Sequence, residues 1–257
     1  ANGQAYCWGM GGDGALGSGV VANQTTPAAV PNSPTFTSIH GGGGHACAIT
    51  SGGAAWCWGT RTHGQLGDGL ATTSALPVAV LGSHAFVQVT AGQAHSCGIT
   101  AAGTAYCWGN GGLGRLGNGA TAHSYDPVQV SGGLAFSRIS AGFEHTCALT
   151  PDGAAWCWGN PALGRLGHGS TSGGLVPVAV AGSRKYTVIS AGGTHTCAVA
   201  EDGAGYCWGY TDGGSALGNS PGLVGGGHTF SSIDAGGDLS CGVTTAGKGL
   251  CWGRNDF

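Results

Sequence analysis

The triplet Cys-Trp-Gly occurs six times in this chain, beginning at Cys7, Cys57, Cys107, Cys157, Cys207 and Cys251. The first five copies stand 50 residues apart and the last follows after 44. A second cysteine lies ten positions before each copy except the first, at Cys47, Cys97, Cys147, Cys197 and Cys241. A G-x-x-H-x-C motif carries His45, His95, His145 and His195, and Leu239 takes the His position in the fifth unit. A Leu-Gly pair follows at Leu16, Leu66, Leu116, Leu166 and Leu217. A chain with this period builds one supersecondary unit repeatedly. Within one unit the apolar runs are 136–141, 145–150, 154–159 and 177–180, separated by Gly-rich or polar turns. Runs this short, rich in β-branched and aromatic residues and without helical periodicity, predict strands. Four short strands per unit predict an all-β fold, a β-propeller of four-stranded blades. About six units are visible, and the full ring has six or seven blades. The chain 1–257 reads as a single repeat domain whose two ends each cut a repeat, so a longer chain is expected.

The cysteine spacing can be tested against hairpin geometry. Between Cys47 and Cys57 sits Ser51-Gly52-Gly53, and the four equivalent loops also have Gly third: Gly103, Gly153, Gly203 and Gly247. A three-residue hairpin loop is a type I turn followed by a left-handed residue, which favours Gly. Counting outward from that loop sets Cys47 opposite Cys57 on the paired strands. Directly opposed residues are close enough for a disulfide. Five cross-strand disulfides are therefore predicted: Cys47–Cys57, Cys97–Cys107, Cys147–Cys157, Cys197–Cys207 and Cys241–Cys251. Cys7 is left unpaired, its partner position falling before residue 1. Disulfides persist in oxidising compartments, which predicts a secreted or cell-surface protein. The sequon Asn23-Gln24-Thr25 agrees with that placement.

Composition excludes several functions. Lys and Arg total eight, the net charge is −3, and charged residues are 7% of the chain. A nucleic-acid groove needs many more cations. No apolar run approaches the roughly 18 residues of a membrane helix. The acids are dispersed, so neither a paired-carboxylate site nor a calcium loop is visible. No nucleophile elbow or phosphate loop occurs. The G-x-G-x-x-G matches at 9–14 and 109–114 lack the helix that a dinucleotide site requires. Zinc needs four clustered ligands, and no C-x-x-C is present. No enzyme activity, metal or cofactor is expected. The repeated histidines are expected to hold turn backbone. The tryptophans Trp8, Trp58, Trp108, Trp158, Trp208 and Trp252 are expected to fill the core between blades.

The pattern G-x-x-H-x-C-A-[IL]-T-x-x-G-x-[AW]-[YW]-C-W-G-x-x-x-x-G-x-L-G, seen over 142–167 and 92–117, resembles the repeat of the regulator-of-chromosome-condensation propeller family. The resemblance covers essentially the whole chain and implies a propeller of four-stranded blades. The paired cysteines are similar to those of a secreted bacterial branch, which includes propeller-type β-lactamase inhibitors. The nucleotide-exchange and chromatin roles of eukaryotic members are not expected here, since basic charge is missing.

Residues that differ between repeats are the better functional candidates. Hot spots of interfaces favour Trp, Tyr and Arg. Arg61, Arg115, Arg165, Tyr125 and Tyr210, in or next to the variable loops, are the candidate contacts with a protein partner. Together these features describe a non-enzymatic extracellular binding or structural module within a larger assembly, with no nucleic-acid partner and no membrane insertion. A secreted enzyme inhibitor is the alternative.

Overall fold

A computed structural model describes residues 3–211 and 215–254. Two compact units are present, one of Ala1–Gly112 with Thr121–Val130, the other of Leu113–Ala120 with Ser131–Phe257. The repeat runs through both. In the first unit β1 (Tyr6–Gly9) pairs with β2 (Gln24–Ala29). Two four-stranded sheets follow. One contains β3 (Phe36–Gly41), β4 (His45–Thr50), β5 (Ala55–Gly59) and β6 (Ser74–Ala79). The other contains β7 (Phe86–Ala91), β8 (His95–Thr100), β9 (Ala105–Gly109) and β10 (Ser124–Gln129). The second unit begins with β11 (Arg138–Ala141), β12 (His145–Leu149), β13 (Ala155–Gly159) and β14 (Val178–Ala179). Next come β15 (Tyr186–Ala191), β16 (His195–Ala200), β17 (Gly205–Thr211) and β18 (Ser215–Leu223). A three-stranded sheet of β19 (Phe230–Ala235), β20 (Leu239–Thr244) and β21 (Gly249–Gly253) completes it. Each sheet is an antiparallel meander, and these are propeller blades.

The hairpin register sets each cysteine opposite its partner, and all five predicted disulfides are present with Cα atoms 4.0–4.1 Å apart. The reason is the turn: Gly53, Gly103, Gly153, Gly203 and Gly247 all have φ between +80° and +82°, a conformation that only glycine adopts without cost. Gly53 N–H closes the turn on Thr50 O at 3.0 Å. Cys7 is the free thiol among the described residues, and burial raises its pKa. Gly3 also has a positive φ, +70°; Ala1 and Asn2, with Asn255, Asp256 and Phe257 at the other end, lie outside the described residues.

Blades pack through the repeated side chains. Trp58, Trp108, Trp158 and Trp208 are fully buried, as are Leu66, Leu116 and Leu166. Trp108 packs with Leu66 and Phe86 in the first unit, and Trp208 with Leu166 and Tyr186 in the second. The Leu-carrying turn of one blade thus seals the tryptophan of the next. Gly67, Gly117 and Gly167 lie flat against those indoles, where an added Cβ would come within 2.5–2.8 Å of the ring. Trp8 is 61% exposed and Trp252 is half-buried, so two of the six expected core tryptophans are not sealed.

Candidate functional site

The repeated histidines are buried, and His45, His145 and His195 each meet a side-chain hydroxyl rather than the turn backbone that was expected. His45 Nε2 lies 2.8 Å from Ser96 Oγ, His145 Nε2 2.8 Å from Thr196 Oγ1, and His195 Nε2 2.7 Å from Ser240 Oγ. The partner is a side chain of the following blade, about 50 residues on, which the sequence spacing alone does not reveal. Ser96 donates its single proton to Gln65 O at 2.9 Å, so it accepts from His45 Nε2–H. Trp108 Nε1–H donates to the same carbonyl at 3.0 Å. The pattern repeats where Thr196 and Trp208 both donate to Arg165 O. His45, His145 and His195 are therefore links of hydrogen-bonded seams between blades, and His45 and His195 are held neutral. Burial, with a smaller contribution from His40, lowers the His45 pKa to about 4; burial lowers that of His195 to about 4 as well.

The three candidate arginines are inside the protein, with 4–6% of each residue exposed. Arg61 pairs with Asp68 in its own loop. Arg115 Nη1 donates to Phe143 O at 3.4 Å, and Arg165 Nη1 donates to Gly193 O at 3.2 Å and to Glu144 Oε2 at 3.2 Å. Burial lowers the pKa of both Arg115 and Arg165, and the Glu144 carboxylate opposes that fall. A buried guanidinium needs a carboxylate and carbonyls around it: the following blade supplies Phe143 O and Glu144 to Arg115 and Gly193 O to Arg165, while Glu144 reaches Arg165 from its own blade. These arginines are struts that hold loops, not free surface groups. Tyr125 and Tyr210 are half-buried. Tyr125 packs against Gly64 in the first unit; Tyr210 N–H donates to Thr194 O at 3.0 Å in the second. Asp212 and Gly213, next to Tyr210, lie outside the described residues.

What the struts hold up is apolar. Leu113 and Leu163 are each 48% exposed, and Phe143 is 42% exposed. Leu113 stands two residues before Arg115, Leu163 two before Arg165, and Phe143 supplies the carbonyl that Arg115 holds. Leu113 and Leu163 sit at the centre of single 3-10 turns with φ of +61° and +62°. A left-handed backbone costs a branched L-residue about 1–2 kcal/mol. The 109–114 glycine motif ends in one of these three-residue turns rather than a helix, so it presents no phosphate-binding helix terminus. Among the described residues no group of three or more His, Cys, Asp or Glu side chains is placed to hold a metal. No helix among them is long and apolar enough to cross a membrane.

The model of the regulator of chromosome condensation (RCC1) repeat matches residues 2–49, 52–99, 102–149 and 152–199. No curated protein sequence matches the chain significantly. Among solved structures, human WBSCR16 superposes with a TM-score of 0.88 at 21% identity, over 97% of this chain and 71% of that one. Yeast RCC1 (Prp20) bound to Kap60 gives 0.85 at 23% identity, over 98% of this chain and 64% of that one. Prp20p of Saccharomyces cerevisiae, described with its binding to Gsp1p and histones, gives 0.84 at 22% identity, over 98% and 66%. The chain thus spans about two thirds of the length of the yeast propeller. At these identities the likeness establishes the fold.

Proposed function

Because the chain belongs to the regulator of chromosome condensation (RCC1) repeat family, we propose that it is a binding propeller whose partner is a protein and whose work involves no catalysis. It serves in an oxidising compartment, secreted or at the cell surface, as one subunit of a larger assembly. The five disulfides support the compartment, because thiols stay reduced elsewhere. They also agree with the secreted bacterial branch of the family. Low charge supports protein over nucleic acid as the partner.

Leu113 and Leu163 carry this reading. Glycine would sit at φ +61° and +62° without strain, and neither leucine is needed for the core, being about half exposed. Backbone strain retained under an exposed apolar side chain points to a contact outside the chain. Phe143 and Tyr210 add aromatic surface in the same unit. A secreted inhibitor is the narrower form of the proposal and uses the same side chains. The test is a double variant, Leu113→Gly with Leu163→Gly, produced in the native source. It should unfold at higher urea than the parent, by about 1 kcal/mol per site, yet lose the parent's stoichiometric complex in native mass measurements. A parent that runs as a free monomer, or a variant complex of unchanged mass, refutes the proposal.

A further inference from the structure

The fifth and sixth blades, both in the second unit, meet differently from the fourth and fifth, and three changes in sequence account for it. First, the repeat is six residues shorter here, 44 against 50. The Leu-Gly turn of the other blades is replaced by the strand β18, which pairs along β17. Gly218 consequently does not lie against Trp252 as Gly167 lies against Trp208; its added Cβ would meet only Ser220 O, at 3.9 Å. Second, the residue opposite the third-strand cysteine is Val78, Val128 and Val178 in three blades, but Gly222 opposite Cys207. Third, Leu250 stands where Trp56, Tyr106, Trp156 and Tyr206 stand in the other blades. Each change removes volume from the same place.

The space left is a cavity of about 640 Å³ whose walls include Leu217, Val224, Phe230, Leu250, Trp252 and, at its exposed lip, His228. Small-molecule sites have this size and this character, apolar walls with a few polar groups. Two groups here can direct a ligand. Trp108, Trp158 and Trp208 spend their indole N–H on backbone carbonyls; among the described residues the sealed Trp58 N–H has no acceptor, and the Trp252 N–H, beside the cavity, has none either. The His228 imidazole packs edge-on to Phe230, with ring centroids 6.3 Å apart. The rings of Phe230 and Trp252, 5.7 Å apart and tilted by 50°, form one wall. We propose that this cavity is a binding site for a small aromatic molecule carrying an oxygen acceptor. Its ring packs on Phe230 and Trp252, and its oxygen accepts from the Trp252 N–H or from His228. The site is independent of the Leu113, Leu163 and Phe143 surface.

The experiment is calorimetric titration of the intact disulfide-bonded protein with 2-naphthol, and with naphthalene as the probe lacking oxygen. Gly222→Val restores the residue of the other blades. An added Cβ there meets only Cys207 O and Leu217 O, both at 3.6 Å, so the variant keeps the fold. The parent should bind 2-naphthol more tightly than naphthalene by about fivefold or more. Gly222→Val should weaken 2-naphthol at least tenfold with an unchanged or raised Tm, and the double variant Trp252→Phe with His228→Leu should erase the preference for the oxygenated probe. Failure of the parent to bind 2-naphthol at millimolar concentration overturns the proposal. So does unchanged affinity in Gly222→Val, which would place any bound probe elsewhere.

Discussion

Trp208 and Trp252 occupy the same position in consecutive blades, and their fates differ. Trp208 is fully buried, donates to Arg165 O at 3.0 Å and lies against Gly167. Trp252 is half-buried beside a cavity of about 640 Å³. The motif around them is identical, Cys-Trp-Gly in both. Two things differ: the preceding blade supplies a Leu-Gly turn and Val178 in one case and β18 with Gly222 in the other, and β17 is paired on both sides whereas β21 is the edge of its described sheet. A repeat motif thus sets where a side chain points, while its neighbour decides whether that side chain is sealed. The sealed junction is a support; the open one has room for a ligand.

Three measurements would break or sharpen this contrast. The largest effect is expected from Trp208→Ala, which empties a fully packed site and should cost about 3–5 kcal/mol in urea unfolding. Trp252→Ala should cost only about 1–2 kcal/mol, because much of that ring is already in contact with water. Equal losses would mean that the two junctions are equally packed in solution.

The next effect is pH-dependent and belongs to the seam. His195, bonded to Ser240 across the open junction, titrates at about 4 in the fold against 6.5 when free. His45 does the same within the first unit. Above pH 6.5 both forms of the chain hold these rings neutral and the stability is complete. As pH falls from about 6.5 to about 4, the unfolded chain takes up protons that the folded chain refuses, and stability is lost. Below about 4 the loss levels off. Each ring should contribute on the order of 3 kcal/mol to this fall. Urea midpoints measured from pH 7.5 to pH 4 should show it, and His195→Leu, which copies Leu239, should flatten the curve by one histidine's share. A slope unchanged by that substitution would show that His195 is already accessible to protons in the fold.

The smallest effect is expected from Ser240→Ala. It removes the hydroxyl that His195 meets at 2.7 Å and leaves a buried ring nitrogen without that partner, for about 1–2 kcal/mol. Thr196→Val, at the sealed junction, should cost more, because Thr196 also donates to Arg165 O at 2.9 Å and meets His145 at 2.8 Å. The reverse order would show that the seam is stronger at the open junction.

Much of the architecture was legible in the residues. The ten-residue cysteine spacing around a third-position Gly specifies a hairpin register, because a local turn has few solutions, and the disulfides follow from it. The burial of Trp58, Trp108, Trp158 and Trp208 was legible from their repetition. The arginines were not. Arg115 and Arg165 look like surface cations in a variable loop, and they are buried because carbonyls 28 residues later close over them. The histidine partners are hidden for the same reason, since Ser96 and Thr196 lie 51 residues beyond His45 and His145. Leu113 and Leu163 carried a signal that could have been read: a leucine directly before a glycine, Leu113-Gly114 and Leu163-Gly164, in a loop of small and polar residues.

Local chemistry in the sequence determined the short strands, the hairpin turns and the pairing of the cysteines, because all of these depend on residues within about a dozen positions of one another. Only the tertiary structure decided which polar groups are neutral and buried, which arginines became struts and which leucines stayed outside. It also decided that Gly222, unremarkable in a glycine-rich chain, leaves a cavity. Those outcomes depend on atoms one blade away, brought together by packing that the sequence order does not display.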